Sequence, residues 1–169
     1  MRLTAMRLRS GQHNVDLLSI LANASELACA DAAVIAEQAH VCKAKTVRKP
    51  WGSERWLVPE GSPFGFKIIA LAAGKRTSLQ YHREKEEANL VAVGEGRAFL
   101  ADDVNSPLTE HPLTPGCITH IKSGVVHRLE ASTEMIIVEV STPHLDDVIR
   151  IEDDTGRHSG RIAGEHVQK

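Results

Sequence analysis

Between Gly74 and Gly96 the sequence reads GKRTSLQYHREKEEANLVAVGEG, which crowds Gln80, His82, Glu84 and Glu87 into one short stretch. An imidazole, a carboxamide and two carboxylates are all able to ligate a metal or move a proton. If residues 77–84 form a strand, side chains alternate with period two, and Ser78, Gln80, His82 and Glu84 line one wall. Taken alone, the same alternation suits a strand that faces solvent. The elements around the stretch decide between the two.

A chain of 169 residues fits one domain of ordinary size with some extension. Net charge is −2, with 20 Lys and Arg against 22 Asp and Glu, so the chain lacks the basic footprint of a nucleic-acid binder. Small-molecule or protein partners are the better expectation. Cys29, Cys42 and Cys117 are odd in number and widely spaced, without a C-x-x-C pair, which suits a reducing cytoplasm. Apolar runs all fall short of the roughly 18 residues that span a bilayer, so no membrane association is expected. The arginines near the start read as a basic leader rather than a signal peptide.

Texture changes near Lys45. Before it, Leu27, Ala30, Val34 and Val41 fall near helical spacing and Asn23 with Glu26 resembles a cap, so a helix is expected from about residue 24 to 42. After Pro50 come short apolar runs split by turn residues: ERWLV, FGFKIIALAA, TSLQYH, ANLVAV, GRAFLA, CITHI, HRLEA and EMIIVEVS. Such runs argue for an antiparallel sandwich or barrel.

Spacing then links two regions of that barrel. From Gly74, five residues lead to Gln80, one to His82, four to Glu87 and six to Gly94; Gly116 is followed after five by Lys122, then Ser123, Gly124, two valines and His127. These match the two halves of the cupin signature, G-x5-H-x-H-x4-E-x6-G and G-x5-P-x-G-x2-H-x3-N. Gln80 replaces the first His, Lys122 the Pro and Ala131 the Asn. The fold expected is all-β, a cupin jelly-roll barrel with an N-terminal helical extension: residues 1–44 as extension, 45–157 as cupin domain and 158–169 as a C-terminal tail.

Within the cupins, about residues 48 to 157 resemble the phosphomannose isomerase group, in particular the type II cupin domain at the C-terminus of bifunctional mannose-1-phosphate guanylyltransferases. RKPWGSERW, GKRTSLQYH, SGVVHRLE and LDDVIRIEDDTGR carry the resemblance. With no nucleotidyltransferase half before it, a free-standing cupin is implied. Departures sit where the family runs H-H-H-R-A-E-H-W after Q-Y: here the run is His82, Arg83, Glu84, Lys85, Glu86, Glu87, Ala88, Asn89, and Thr155 replaces a tyrosine in the ending.

As ligands, Gln80, His82, Glu87 and His127 offer two nitrogens, a neutral oxygen and a carboxylate, a shell that accepts Zn, Fe, Mn, Co or Ni with little preference. Zinc is what the isomerase resemblance implies. A cupin that keeps these residues as a hydrogen-bonded interior without metal is the alternative. The resemblance further implies a mannose-6-phosphate isomerase-like reaction on a sugar phosphate. Its candidate catalytic residues are Glu84, as general base or substitute ligand if it is not a solvated rim carboxylate, and Arg150 and Arg157, as phosphate clamps if they are not paired to Glu152, Asp153 and Asp154. A non-catalytic sugar- or sugar-phosphate-binding cupin and an Fe(II)-dependent oxygenase are the competing classes. A homodimer formed by strand addition at a sheet edge is a further alternative.

Overall fold

Valine, isoleucine and leucine recur in short runs bounded by Gly, Pro and Asp, and in the computed structural model, which describes residues 43–166, these runs are strands. In chain order they are β1 (Lys45–Lys49), β2 (Gly52–Trp56), β3 (Gly65–Leu71), β4 (Leu79–Tyr81), β5 (Glu87–Val93) and β6 (Gly96–Ala101). There follow β7 (Thr109–Leu113), β8 (Ile118–Ile121), β9 (Val126–Ala131), β10 (Met135–Ser141) and β11 (Ile149–Glu152). They form two antiparallel sheets, one ordered β1-β2-β3-β10-β5-β8 and the other β11-β4-β9-β6-β7. The all-β, two-sheet expectation is met. Among the described residues the helical content is one 3-10 turn at Ala163–Glu165, and no helix is long and apolar enough to cross a membrane. The helix expected over residues 24 to 42 lies outside the described residues.

Register sorts the interior into two layers. Between β10 and β3, Met135 faces Leu71, Ile137 faces Ile69 and Glu139 faces Lys67. Between β10 and β5, Ile137 faces Val91, Glu139 faces Asn89 and Ser141 faces Glu87. Side chains two apart share a face, so each strand is apolar toward one end of the barrel and polar toward the other. On β9, Leu129 and His127 repeat the order. The apolar end is a core that also holds Trp51, Leu113 and Ala131. A slip of one residue in any of these strands would carry the whole polar set to the outside.

Two signature glycines hold this arrangement. Gly94, at φ 84°, turns from β5 to β6 so close to the start of β10 that a Cβ would lie 2.1 Å from the Glu134 carbonyl oxygen. Gly124, at φ 86°, donates its N–H to the carbonyl oxygen of His82 at 2.7 Å. That bond fastens the turn before β9 to the end of β4 and so brings the two motif halves together.

Residues 158–166, expected as part of a tail, are tied to the barrel. Arg150 donates to the carbonyl oxygens of His158 and Gly160, and Lys49 pairs with Glu165 at 2.8 Å. Gly160, Arg161, Ile162 and His166 contribute to the wall of the interior cavity.

Candidate functional site

The polar end of the barrel opens into a cavity whose wall includes Lys67, Asn89, Glu139 and Arg150. His82, Glu87 and His127 meet on its wall, all buried, with their ligating atoms within 4.8 Å of one another.

Each histidine is oriented by a backbone carbonyl. His82 Nδ1 bonds the Asp147 oxygen and His127 Nδ1 the Val125 oxygen, the latter at 3.0 Å. With Nδ1 donating, the neutral ring presents an Nε2 lone pair, which is the ligand form. His82 Nε2 is buried without a hydrogen-bond partner and lies 3.6 Å from Glu87 Oε2; His127 Nε2 lies 3.6 Å from Glu87 Oε1. Burial pushes the His127 ring to a pKa below its ordinary value, outweighing the attraction of Glu87. It is therefore neutral near pH 7. Two ligands with bonds of about 2.1 Å to a tetrahedral ion stand about 3.4 Å apart, so these spacings and the orphaned nitrogen fit a divalent transition metal.

Gln80 sits beside the trio, cross-strand from His127. Its amide nitrogen faces His127 Nε2 at 3.4 Å while its oxygen accepts from Ser78 Oγ at 2.6 Å. In this orientation the oxygen expected as a ligand is committed to Ser78. Offering it to a metal would require the amide to turn over.

The expectation that Glu84 shares this wall does not hold. β4 ends at Tyr81, and the Asp147 carboxylate accepts the backbone N–H groups of Glu84 at 2.6 Å and Lys85 at 3.0 Å. Burial pushes the Asp147 carboxyl up, but these backbone donors hold it below its ordinary pKa. The clamp bends the chain out of strand geometry and breaks the alternation. Glu84 turns outward, 70% exposed and 3.4 Å from His144, while Lys85 turns inward.

Lys85 heads a buried row of alternating charge that sequence reasoning missed. Its ammonium bonds Glu87 Oε2 and lies 3.0 Å from Glu139; Lys67 lies 3.5 Å from Glu139 and 3.6 Å from Glu54; Lys49 lies 3.6 Å from Glu54. Burial would drive off the Lys85 proton, but Glu139 and Glu87 outweigh it and raise the pKa above the ordinary lysine value. Burial pushes Glu54 up, yet Lys67, Lys49 and the Trp56 indole N–H bring it down to about 2. Glu87 is held well below the carboxylate range, Lys85 and the two histidines overcoming its burial. Its other oxygen accepts from Asn89 at 3.0 Å. The available signal was a single charge inside an apolar run: Lys67 in FGFKIIALAA and Glu139 in EMIIVEVS.

The two arginines part company. Arg157 grips Asp153 with Nε and Nη2 at 3.0 and 2.7 Å and reaches Glu165 at 3.2 Å, so its fork is filled by carboxylates of its own chain. This is the pairing that competes with phosphate binding in the sequence reading. Arg150, a residue of the cavity wall, spends Nη1 on two carbonyls, and its Nε is buried without a partner.

Two antiparallel sheets around a cavity that gathers histidines and a glutamate from both motif halves define a cupin. The chain belongs to the mannose-6-phosphate isomerase C-terminal family, whose model matches residues 36–153. Among solved structures it is similar to the capsular polysaccharide assembling protein CapF from Staphylococcus aureus, with TM-score 0.57, 18% identity, and 68% of this chain covering 35% of that one. It is also similar to ectoine synthase from P. lautus, with TM-score 0.50, 24% identity, and coverage of 59% and 69%. A third is a single-residue variant of the oxalate decarboxylase of B. subtilis, with TM-score 0.54, 16% identity, and coverage of 64% and 30%. The chain thus spans about a third of the length of CapF, and these likenesses establish the fold alone. No curated protein matches the chain.

Proposed function

We propose that the protein is a cytoplasmic, metal-dependent cupin that takes a sugar phosphate and interconverts its aldose and ketose forms, in the manner of a mannose-6-phosphate isomerase. The observation that carries the reading is the convergence of His82, Glu87 and His127 on the cavity wall, their ligating atoms within 4.8 Å of one another and each Nε2 3.6 Å from a Glu87 oxygen. These three residues would hold the metal, zinc by family resemblance, with Gln80 as a fourth donor once its amide turns. A bound metal supplies Lewis-acid polarisation of carbonyl and hydroxyl oxygens. The chain's own residues do the rest: Arg150 Nε offers a donor to an anionic group, and from the wall Lys67 offers a donor and Asn89 Oδ1 an acceptor to hydroxyls. Arg157 supports Arg150's surroundings through Asp153 rather than gripping phosphate itself.

A second reading, a sugar-phosphate-binding cupin without turnover, has its own support. Isomerisation needs a base near the transferred proton, and the wall carboxylates Glu54, Glu87 and Glu139 are each paired with buried lysines. A carboxylate held near pKa 2, as Glu54 is, is a weak base. Glu84, turned outward, does not fill the role.

One experiment separates the readings. Protein loaded in turn with Zn, Mn, Co and Fe(II) is assayed for interconversion of mannose 6-phosphate and fructose 6-phosphate, and in parallel for ligand-induced shifts in Tm. Turnover that disappears in His82→Ala and His127→Ala, both folded and both without stoichiometric metal, is the expected result. A Tm shift with no turnover assigns binding alone. Oxygen uptake by the iron form points to oxygenase chemistry, and full metal in both variants removes the metal centre.

A further inference from the structure

Among the described residues, Lys85 is the one buried cation in contact with a member of the His82, Glu87 and His127 trio, and it meets that trio at the carboxylate. The oxygen it bonds, Glu87 Oε2, is the same atom that lies 3.6 Å from the unpartnered His82 Nε2. Glu87 Oε1 is taken by the Asn89 amide at 3.0 Å. Neither oxygen of the trio's anionic ligand is therefore free of a donor. The ammonium has a second anchor in Glu139 at 3.0 Å, and Glu139 in turn is shared with Lys67 at 3.5 Å. All of these charged groups are at most 7% exposed, so little water screens them.

From this geometry we infer that Lys85 is a resident counter-cation of the candidate metal centre, one that competes with a divalent metal for the charge of Glu87 and sets how tightly the site holds it. The inference rests on the metal-centre reading and adds to it the residue that tunes affinity. A dication at the trio would sit against a fixed positive charge, and it would share a carboxylate whose negative charge is already neutralised. Glu139 sets how strongly the ammonium leans on Glu87: with Glu139 present, Lys85 can draw back toward this second counter-charge as metal enters. The design gives a centre that exchanges its metal more readily than two histidines and an unshared carboxylate would.

The test titrates chelator-stripped protein with Co²⁺, read by its visible absorption, and with Zn²⁺ in competition with a chromophoric chelator. Lys85→Met, which keeps the length of the side chain and removes its charge, is expected to bind both metals at least tenfold more tightly than the wild type. Glu139→Gln, which removes the second anchor and leaves Lys85 on Glu87 alone, is expected to bind them several-fold more weakly. These opposite shifts support the inference, and a Lys85→Met variant that is not folded leaves the Glu139→Gln shift against wild type to decide it. Equal or weaker binding by folded Lys85→Met, or unchanged binding by Glu139→Gln, overturns the inference while the metal centre stands. Absence of binding in wild type and both variants overturns the metal centre and the inference with it.

Discussion

The two ends of the barrel interior are built on the same strands by opposite physics. At one end Met135, Ile137, Leu71, Ile69 and Val91 interlock without a charged or hydrogen-bonding group among their side chains. Two residues further along the same strands, Glu139, Lys67 and Asn89 are just as buried but hold together by charge and hydrogen bonds. The apolar end gains stability from surface removed from water, and it has no directional requirement. The polar end gains little net stability from its pairs, because desolvation offsets their attraction, but it loses heavily when one partner is removed. Stability is thus concentrated at one end and chemistry at the other, and a two-residue step in register separates them.

The largest effect expected is on stability, and it tests that contrast directly. Glu139→Gln leaves Lys85 and Lys67 short of counter-charge in the interior and should cost about 3–5 kcal/mol. Ile137→Ala, two residues away, opens a cavity in the core and should cost about 2–5 kcal/mol. Urea denaturation measures both. The distinguishing result is the repair: Ile137→Val should recover most of the loss at its position, while Glu139→Asp, too short to span Lys85 and Lys67 together, should not. A cost below about 1 kcal/mol for Glu139→Gln would mean the row of charges is hydrated and the contrast fails.

A smaller effect separates the ends by pH. Glu54 has a folded pKa of about 2 against an ordinary 4.5, because Lys67 and Lys49 overcome its burial. A depressed carboxylate contributes stability that is present above its ordinary pKa and is lost as pH falls from about 4.5 through 2. The stability difference between wild type and Glu54→Gln should therefore be full at pH 7 and shrink as the solution is acidified through that window. The difference between wild type and Ile137→Ala should stay flat over the same range. Parallel declines for the two would show that the acid sensitivity is not seated in the polar end.

Much of this division is legible in the sequence. The alternating apolar runs announce antiparallel strands, and the spacing from Gly74 to Gly94 and from Gly116 to His127 brings His82, Glu87 and His127 into one neighbourhood, because both turns are closed by glycines. The row from Lys49 to Lys85 is not legible, since its members sit on β1, β2, β3 and β10 and the turn after β4, and only strand pairing makes them neighbours. Spacing offers Gln80's oxygen as a ligand but says nothing of which way an amide turns, and Ser78 decides that. For Arg157 the sequence holds phosphate binding and carboxylate pairing side by side, and the structure records the pairing, with a partner four residues before it.

Glu84 and Lys85 mark the limit of period-two reading, and they yield the smallest effect. Alternation from Gln80 and His82 predicts that Glu84 enters the cavity and Lys85 faces water, the reverse of what the chain does. The cause is Asp147, whose carboxylate takes the two backbone N–H groups from a position 62 residues beyond Lys85. No local pattern encodes a clamp so distant. Glu84→Gln should accordingly leave metal content and any turnover at wild-type levels and change stability by no more than about 0.5 kcal/mol, as expected for an exposed side chain paired only with the similarly exposed His144. Asp147→Ala should undo the distinction: with the carboxylate clamp gone, β4 is free to run on and the orientation of Lys85 is released, while the backbone carbonyl that holds His82 Nδ1 is retained. Metal affinity measured in the two variants reads the difference, unchanged in Glu84→Gln and altered in Asp147→Ala. Loss of metal or turnover in Glu84→Gln would put that carboxylate back among the working groups and extend the polar end of the barrel to its rim.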